Sequence, residues 1–185
     1  GLKEEMSVTI KGHVGYYCGG MNQKANIFIE GNAGTGLGEN MMSGTIHVKG
    51  NTSQSAGATA HGGTIIIDGD ASSRCGISMK GVDIVVKGSV GHMSAFMAQA
   101  GTLMICGDAG EALGDSIYET VIYLAGKPKS LGVDCIEKKV TKNDLKKIEN
   151  LIKIGNIKKL KPHDFKKFGS ARKLYNFNID NVSEY

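Results

Sequence analysis

The sequence predicts an all-β fold, a right-handed parallel β-helix, and three observations carry that expectation. Glycine recurs at one fixed interval, without insertion or deletion, at Gly12, Gly31, Gly50, Gly69, Gly88, Gly107 and Gly126. A fixed period of about 20 residues marks a solenoid, whose repeats bury their apolar faces only by stacking. A short β-branched run precedes each recurrence from Gly31 onward, and its outer members are always Ile, Leu or Val. Two further columns of small residues fall at fixed places between the runs, where a coil must turn a corner.

Val8-Thr9-Ile10 opens the series as a partial turn. The complete runs follow as Ile27-Phe28-Ile29, Ile46-His47-Val48, Ile65-Ile66-Ile67, Ile84-Val85-Val86, Leu103-Met104-Ile105 and Ile122-Tyr123-Leu124. Their middle residue varies freely, which is the period-2 alternation of a strand with one face inward. The corner columns are Gly15, Gly34, Gly91 and Gly110, with Ser53 and Ser72, and then Gly19, Gly38, Gly57, Gly76 and Gly114, broken only by Ala95. A hairpin array would need turn dipeptides between antiparallel strands, so the identical register favours parallel coils. Met41 and Met79 share a column with Ala60, Ala98 and Ile117, an interior position.

The pattern is expected to stop after Gly126, where Lys127-Pro128-Lys129 breaks the register. A helix reads next: Thr141 as N-cap, Asp144 three residues on, apolar Leu145, Ile148, Leu151 and Ile152 on one face, and Gly155 as C-cap. This helix is expected to cover the open end of the solenoid. A second helical segment is expected around Pro162–Phe168, and the tail 171–185 shows no clear period. The chain thus divides into a solenoid domain, 1–134, and a basic carboxy-terminal cap and tail, 135–185.

Charge divides in the same way. Residues 1–126 hold seven basic and eleven acidic side chains, a net of −4, and residues 127–185 hold fifteen and seven, a net of +8. In the basic tail the lysines alternate with the apolar residues of a helix, and Tyr175 and Phe177 come only near its end, so no nucleic-acid partner is expected. No apolar run approaches the ~20 residues of a membrane span, and the amino terminus lacks a signal-peptide core. A cytoplasmic protein without a membrane partner is the expectation. The four cysteines form no metal-ligand spacing and are expected to be free thiols, with Cys75 a packing residue.

Chemistry is sparse. Gly34-Thr-Gly36-Leu-Gly38 looks like a nucleotide loop, but the repeat columns account for each glycine. The histidines His13, His47, His61 and His92 lie in four different columns, and His163 lies outside the repeat. That scatter predicts no metal site. Ser94 beside His92 offers a hydrolase pair without a nucleophile elbow. No catalytic, cofactor-binding or metal-binding residue is therefore expected in this chain. Met93, Phe96 and Met97 cluster where the third glycine column is lost, and soft apolar side chains there suggest a partner interface.

The runs Gly76-Ile-Ser-Met-Lys80-Gly81, Gly88-Ser-Val-Gly91-His92-Met-Ser-Ala-Phe96-Met and Gly107-Asp108-Ala-Gly110-Glu111-Ala-Leu-Gly114-Asp115-Ser-Ile-Tyr118-Glu119 resemble the GXGXG-domain family. So do Ser130-Leu-Gly132-Val-Asp134-Cys135 and Gly169-Ser-Ala-Arg172-Lys-Leu-Tyr175. That family includes the carboxy-terminal β-helix of the glutamate synthase large subunit, its separately encoded form, the similar N-methylglutamate synthase subunit, and a formylmethanofuran dehydrogenase subunit. The resemblance implies a non-catalytic scaffold with two partners, a class-II glutamine amidotransferase subunit and an FMN-containing synthase subunit. FMN and an iron–sulfur cluster are expected in a partner, and none in this chain. The alternatives are a scaffold for another oxidoreductase, such as formylmethanofuran dehydrogenase, and a stand-alone small hydrolase.

Overall fold

The computed structural model describes residues 1–172. Seven strands stack in parallel and in register: β1 (Ser7–Ile10), β2 (Asn26–Ile29), β3 (Thr45–Val48), β4 (Thr64–Ile67), β5 (Lys80–Val86), β6 (Ala100–Ile105) and β7 (Val121–Leu124). Each pairs with its equivalent in the next coil, as Ile27 with Ile46 and Ile46 with Ile65. The coils run from Gly12, Gly31, Gly50, Gly69, Gly88 and Gly107, and are numbered 1 to 6 here. A second seam of single parallel bridges runs Val14, Ala33, Thr52, Ala71, Val90, Ala109 and Pro128.

The alternation read from the triplets fixes the core. Ile29, Ile46, Val48, Ile65, Ile67, Ile84, Val86, Leu103, Ile105, Ile122 and Leu124 are fully buried. Met41 and Met79 fill the interior beside them, as their column predicts. A fully buried side chain of this size contributes about 1.5–3 kcal/mol, so each added coil brings its own stabilisation.

Three expectations about the carboxy-terminal region are corrected. The coil pattern does not stop at Gly126: Pro128 still bridges Ala109, Lys129 N–H donates to the Ala109 carbonyl at 2.8 Å, and Leu131 bridges Leu113. In this column every N–H donates upward to the next coil, as Ala109 does to Lys127 at 3.0 Å. Pro128 occupies the last, partial coil, so its missing donor leaves no acceptor unfilled. The interval shortens by one between Leu113 and Leu131, which is why Gly132 comes one place early.

The helix α1 (Lys142–Ile154) forms as expected, with Thr141 and Asp144 in a capping box and Gly155 as C-cap. It does not cover the open end. Its Ile148 and Leu151 pack on Val85, Met104 and Tyr123, the outward middle residues of the last three triplets. The end is covered instead by β9 (Lys166–Ser170), antiparallel to β7 with Ile122 opposite Phe168, and then by β8 (Cys135–Lys138), antiparallel to β9. A helix spends its backbone groups internally, whereas a terminal rung needs a strand to satisfy its ladder.

The helix expected around Pro162–Phe168 is a single 3-10 turn, Pro162–Asp164, leading into β9. Phe165 and Phe168 are three apart, which suits one helical face. They instead enter opposite clusters, Phe165 beneath α1 and Phe168 in the solenoid core. Tyr175 and Phe177 lie outside the described residues.

Candidate functional site

Beyond each strand pair lies a corner whose backbone repeats as strictly as the glycines. Three alternate residues per coil adopt left-handed conformations. The first column is Tyr17, Gly36, Ser55, Arg74, Met93 and Ala112; the second is Gly19, Gly38, Gly57, Gly76, Ala95 and Gly114. The third is Met21, Asn40, Thr59, Ser78, Met97 and Ser116. All eighteen have φ between +49° and +75°. The alternation turns successive N–H groups to opposite coils: Met93 donates to Glu111 at 2.8 Å in the coil above, Ala95 to Cys75 at 2.8 Å below, and Met97 to Asp115 at 2.9 Å above. The corner therefore keeps its backbone satisfied while departing from β geometry.

In the middle column glycine is favoured, and at Gly57 on two counts. Gly57 has φ +69°, and a Cβ there would strike Ile84 Cδ1 of the next coil. Ala95 is the exception, at φ +56°, and coil 5 also carries Leu103 where the other five coils carry isoleucine.

The structure brings Met93, Phe96 and Met97 together on this corner of coil 5. Met97 is 40% exposed, Met93 and Phe96 are half-buried, and Tyr118 of coil 6 is also 40% exposed. Arg74 lies one coil below Met93, Asp115 one coil above Phe96, and Glu119 follows Tyr118. Charges of both signs surround these side chains, and Lys138, Lys167 and Arg172 line the same depression as Tyr118 and Glu119.

The other candidates disperse. Ser94 is fully buried and donates its Oγ proton to the Gly91 carbonyl at 2.9 Å, while His92 is exposed on the surface. They do not form a nucleophile and base. His13 Nδ1 accepts from Asn32 N–H at 2.9 Å, and His47 Nε2 meets Asp68 Oδ1 at 2.9 Å beside Lys87. His61 and His163 are exposed. Among the described residues no group of three or more His, Cys, Asp or Glu side chains could hold a metal ion. All four cysteines are free, and burial pushes the Cys75 thiol up to about 12, which keeps it protonated and inert.

Two features escaped the sequence reading. The residue after each glycine of the series Gly31, Gly50, Gly69 and Gly107 forms a ladder along the solenoid: Asn32 Oδ1 accepts from Asn51 N–H at 2.8 Å, Asn51 Oδ1 from Asp70 N–H at 2.8 Å, Asp70 Oδ1 from Ser89 N–H at 2.7 Å, and Asp108 Oδ1 from Lys127 N–H at 2.8 Å. A Cβ at Gly69 or Gly88 would collide with these oxygens, so the glycine column makes room for the ladder. Four Asn or Asp residues sharing one column of the repeat were the visible signal.

The second is a hub at Asp144. Tyr123 OH donates to its Oδ1 at 2.7 Å, Thr141 N–H to its Oδ2 at 2.7 Å, and Lys167 Nζ lies 2.8 Å from Oδ1. Burial opposes ionisation of Asp144, but bonds from Lys167, Thr141 and Tyr123 outweigh it, holding the carboxyl well below its usual range. Burial and the same bond push the Tyr123 hydroxyl up. No sequence spacing links residues 123, 144 and 167.

Stacked parallel coils and an upper end covered by two antiparallel strands define a parallel β-solenoid. The chain belongs to the GXGXG motif family, which it matches over residues 1–179. It is similar to Protein GlxC of Rhizobium meliloti (strain 1021), 62% identical over 185 residues, which is the whole of this chain and 81% of that protein. No solved structure matches it significantly. Among the described residues, no helix is long and apolar enough to cross a membrane.

Proposed function

We propose that this chain is a non-catalytic structural subunit of a glutamate-synthase-like complex, holding its partners in a fixed orientation. The partners are a class-II glutamine amidotransferase subunit and an FMN-containing synthase subunit, and the latter carries the flavin and an iron–sulfur cluster. The scaffold supports the path of ammonia between them in glutamate or N-methylglutamate synthesis, in the cytoplasm. Membership of the GXGXG family across residues 1–179 carries this reading. A backbone whose corner bonds repeat from coil to coil suits a part that must hold others rigidly.

The test is co-purification. The tagged chain, co-expressed with a class-II amidotransferase subunit and an FMN-containing synthase subunit, is expected to recover both in fixed ratio. The reconstituted mixture is expected to make glutamate or N-methylglutamate only when all three are present. A monodisperse chain that captures neither protein would defeat the proposal. Capture of a molybdopterin protein instead would move it to another oxidoreductase.

A further inference from the structure

The two ends of the solenoid differ. Strands β9 and β8 cover the upper end, whereas the lower end stops at β1. Along each strand the backbone faces the coils above and below in turn. Asn26 N–H donates down to the Met6 carbonyl at 2.8 Å, and Glu30 N–H down to the Ile10 carbonyl at 3.0 Å. Ser7, Thr9 and Lys11 stand one coil beneath Asn26, Phe28 and Glu30. Their N–H and carbonyl groups therefore point down, where among the described residues no strand pairs with them. The core is open at the same level. Val8, Ile10, Val14 and Cys18 are half-buried, while Ile27, Ile29, Ala33 and Leu37 one coil above are buried. Leu2, Val8, Ile10 and Cys18 line a depression at this end.

The exposed edge is self-complementary. Reading outward from Val8, Ser7 corresponds to Thr9, Met6 to Ile10 and Glu5 to Lys11. A second copy laid antiparallel, with a two-fold axis at Val8, brings each of these pairs together across the seam. The parity of the backbone agrees. Ser7 and Thr9 both point down, so they become a pair that exchanges N–H and carbonyl. Val8 with Val8, and Met6 with Ile10, become the pairs without hydrogen bonds, whose side chains approach most closely. Those are the inward residues, so two half-open cores close on each other. Glu5 and Lys11, both exposed, meet as unlike charges on either side of the axis. A register shift of one mismatches the two faces, and a shift of two separates Glu5 from Lys11.

We propose that the lower end of the solenoid is an interface for a second copy of this chain, joined end to end through antiparallel β1 strands about a two-fold axis at Val8. An isologous contact of this kind closes on itself, so it gives a dimer and not a fibre. The pairing goes beyond the scaffold role and is independent of which subunits the scaffold holds.

Sedimentation equilibrium on the full chain tests it. The wild type is expected to dimerise reversibly, and small-angle scattering to show an elongated, end-to-end particle. E5K and K11E each set two like-charged pairs across the axis and are expected to raise the dimer Kd about tenfold at low salt. The double variant E5K/K11E restores unlike pairs and is expected to return to within about threefold of the wild type. Thr9→Pro removes a downward N–H that β2 does not use, so it is expected to abolish the dimer while the monomer melts close to the wild type. A wild-type chain that stays monomeric at about 100 μM would overturn the proposal. So would a dimer that tolerates both single charge variants within twofold, or one that the double variant fails to rescue. Slowed exchange of the Ser7, Thr9 and Lys11 amides only on adding another subunit would assign this end to that subunit and overturn the dimer. None of these results bears on capture of the two partner subunits.

Discussion

At the residue scale, small side chains serve two separate geometries, and substitutions tell them apart. At Gly57 the left-handed backbone and Ile84 Cδ1 act together. Gly57→Ala is expected to cost about 1–2 kcal/mol in backbone strain and about 1–3 kcal/mol in overpacking, read as a lower urea midpoint at unchanged slope. Thr52 offers the opposite sign. Its hydroxyl is buried without a hydrogen-bond partner, in a column otherwise filled by valine, alanine and proline. Thr52→Val is expected to stabilise by about 1 kcal/mol, visible as a higher melting temperature. Cys75, fully buried with its thiol pushed up to about 12, is expected to resist thiol reagents until the protein unfolds. The glycine columns were legible because each repeats. The conformations of Tyr17, Met93 and Met97 were not, since nothing in those side chains announces a left-handed backbone.

At the scale of elements, strand and helix were read from periodicity, and what each would touch was harder to see. The α1 boundaries follow from Thr141, Asp144 and Gly155, but its docking on Val85, Met104 and Tyr123 was hidden because those positions vary freely among the triplets. Strand β9 escaped because two phenylalanines spaced by three also fit a helix. Asp144 joins the three elements, bonding Tyr123 of β7 and Lys167 of β9 from the first turn of α1. Its lowered pKa makes it a stabilising carboxylate whose contribution is complete above the ordinary carboxylate range. That contribution is lost as pH falls through that range toward the lowered value. The melting temperature is therefore expected to fall on acidification below about pH 4, the ordinary carboxylate pKa. Asp144→Ala is expected to flatten that part of the profile. It also strands Lys167, 18% exposed, at a cost of about 3–5 kcal/mol at neutral pH.

At the scale of the whole molecule, the coils are interchangeable in a way that most folds do not allow. From coil 1 to coil 4 every seam is the same seam: strand register, the Asn and Asp ladder and the corner bonds all advance by one identical step. Removing residues 50–68 joins Lys49 to Gly69 and sets coil 2 directly beneath coil 4. Ile46 then meets Ile84, Asn32 Oδ1 meets the Asp70 N–H, and the left-handed corner positions superpose. The deleted coil holds the unpartnered Thr52 hydroxyl and Asp68, which pairs with His47 and Lys87. It lies below the strands that α1 covers, so the Val85, Met104 and Tyr123 contacts survive. The shortened chain is expected to fold cooperatively with a parallel-sheet circular dichroism spectrum. Its stability should be lower by roughly one coil's share, as additive nearest-neighbour stacking requires. Removing only 50–67 leaves Asp68 as an extra residue at the junction, so the seam between coils 2 and 4 alone is one place out of step, and that chain is expected to melt lower than the 50–68 deletion. If both deletions unfold alike, the coils are not independent layers, and stability resides in the capped end rather than in the repeated seam.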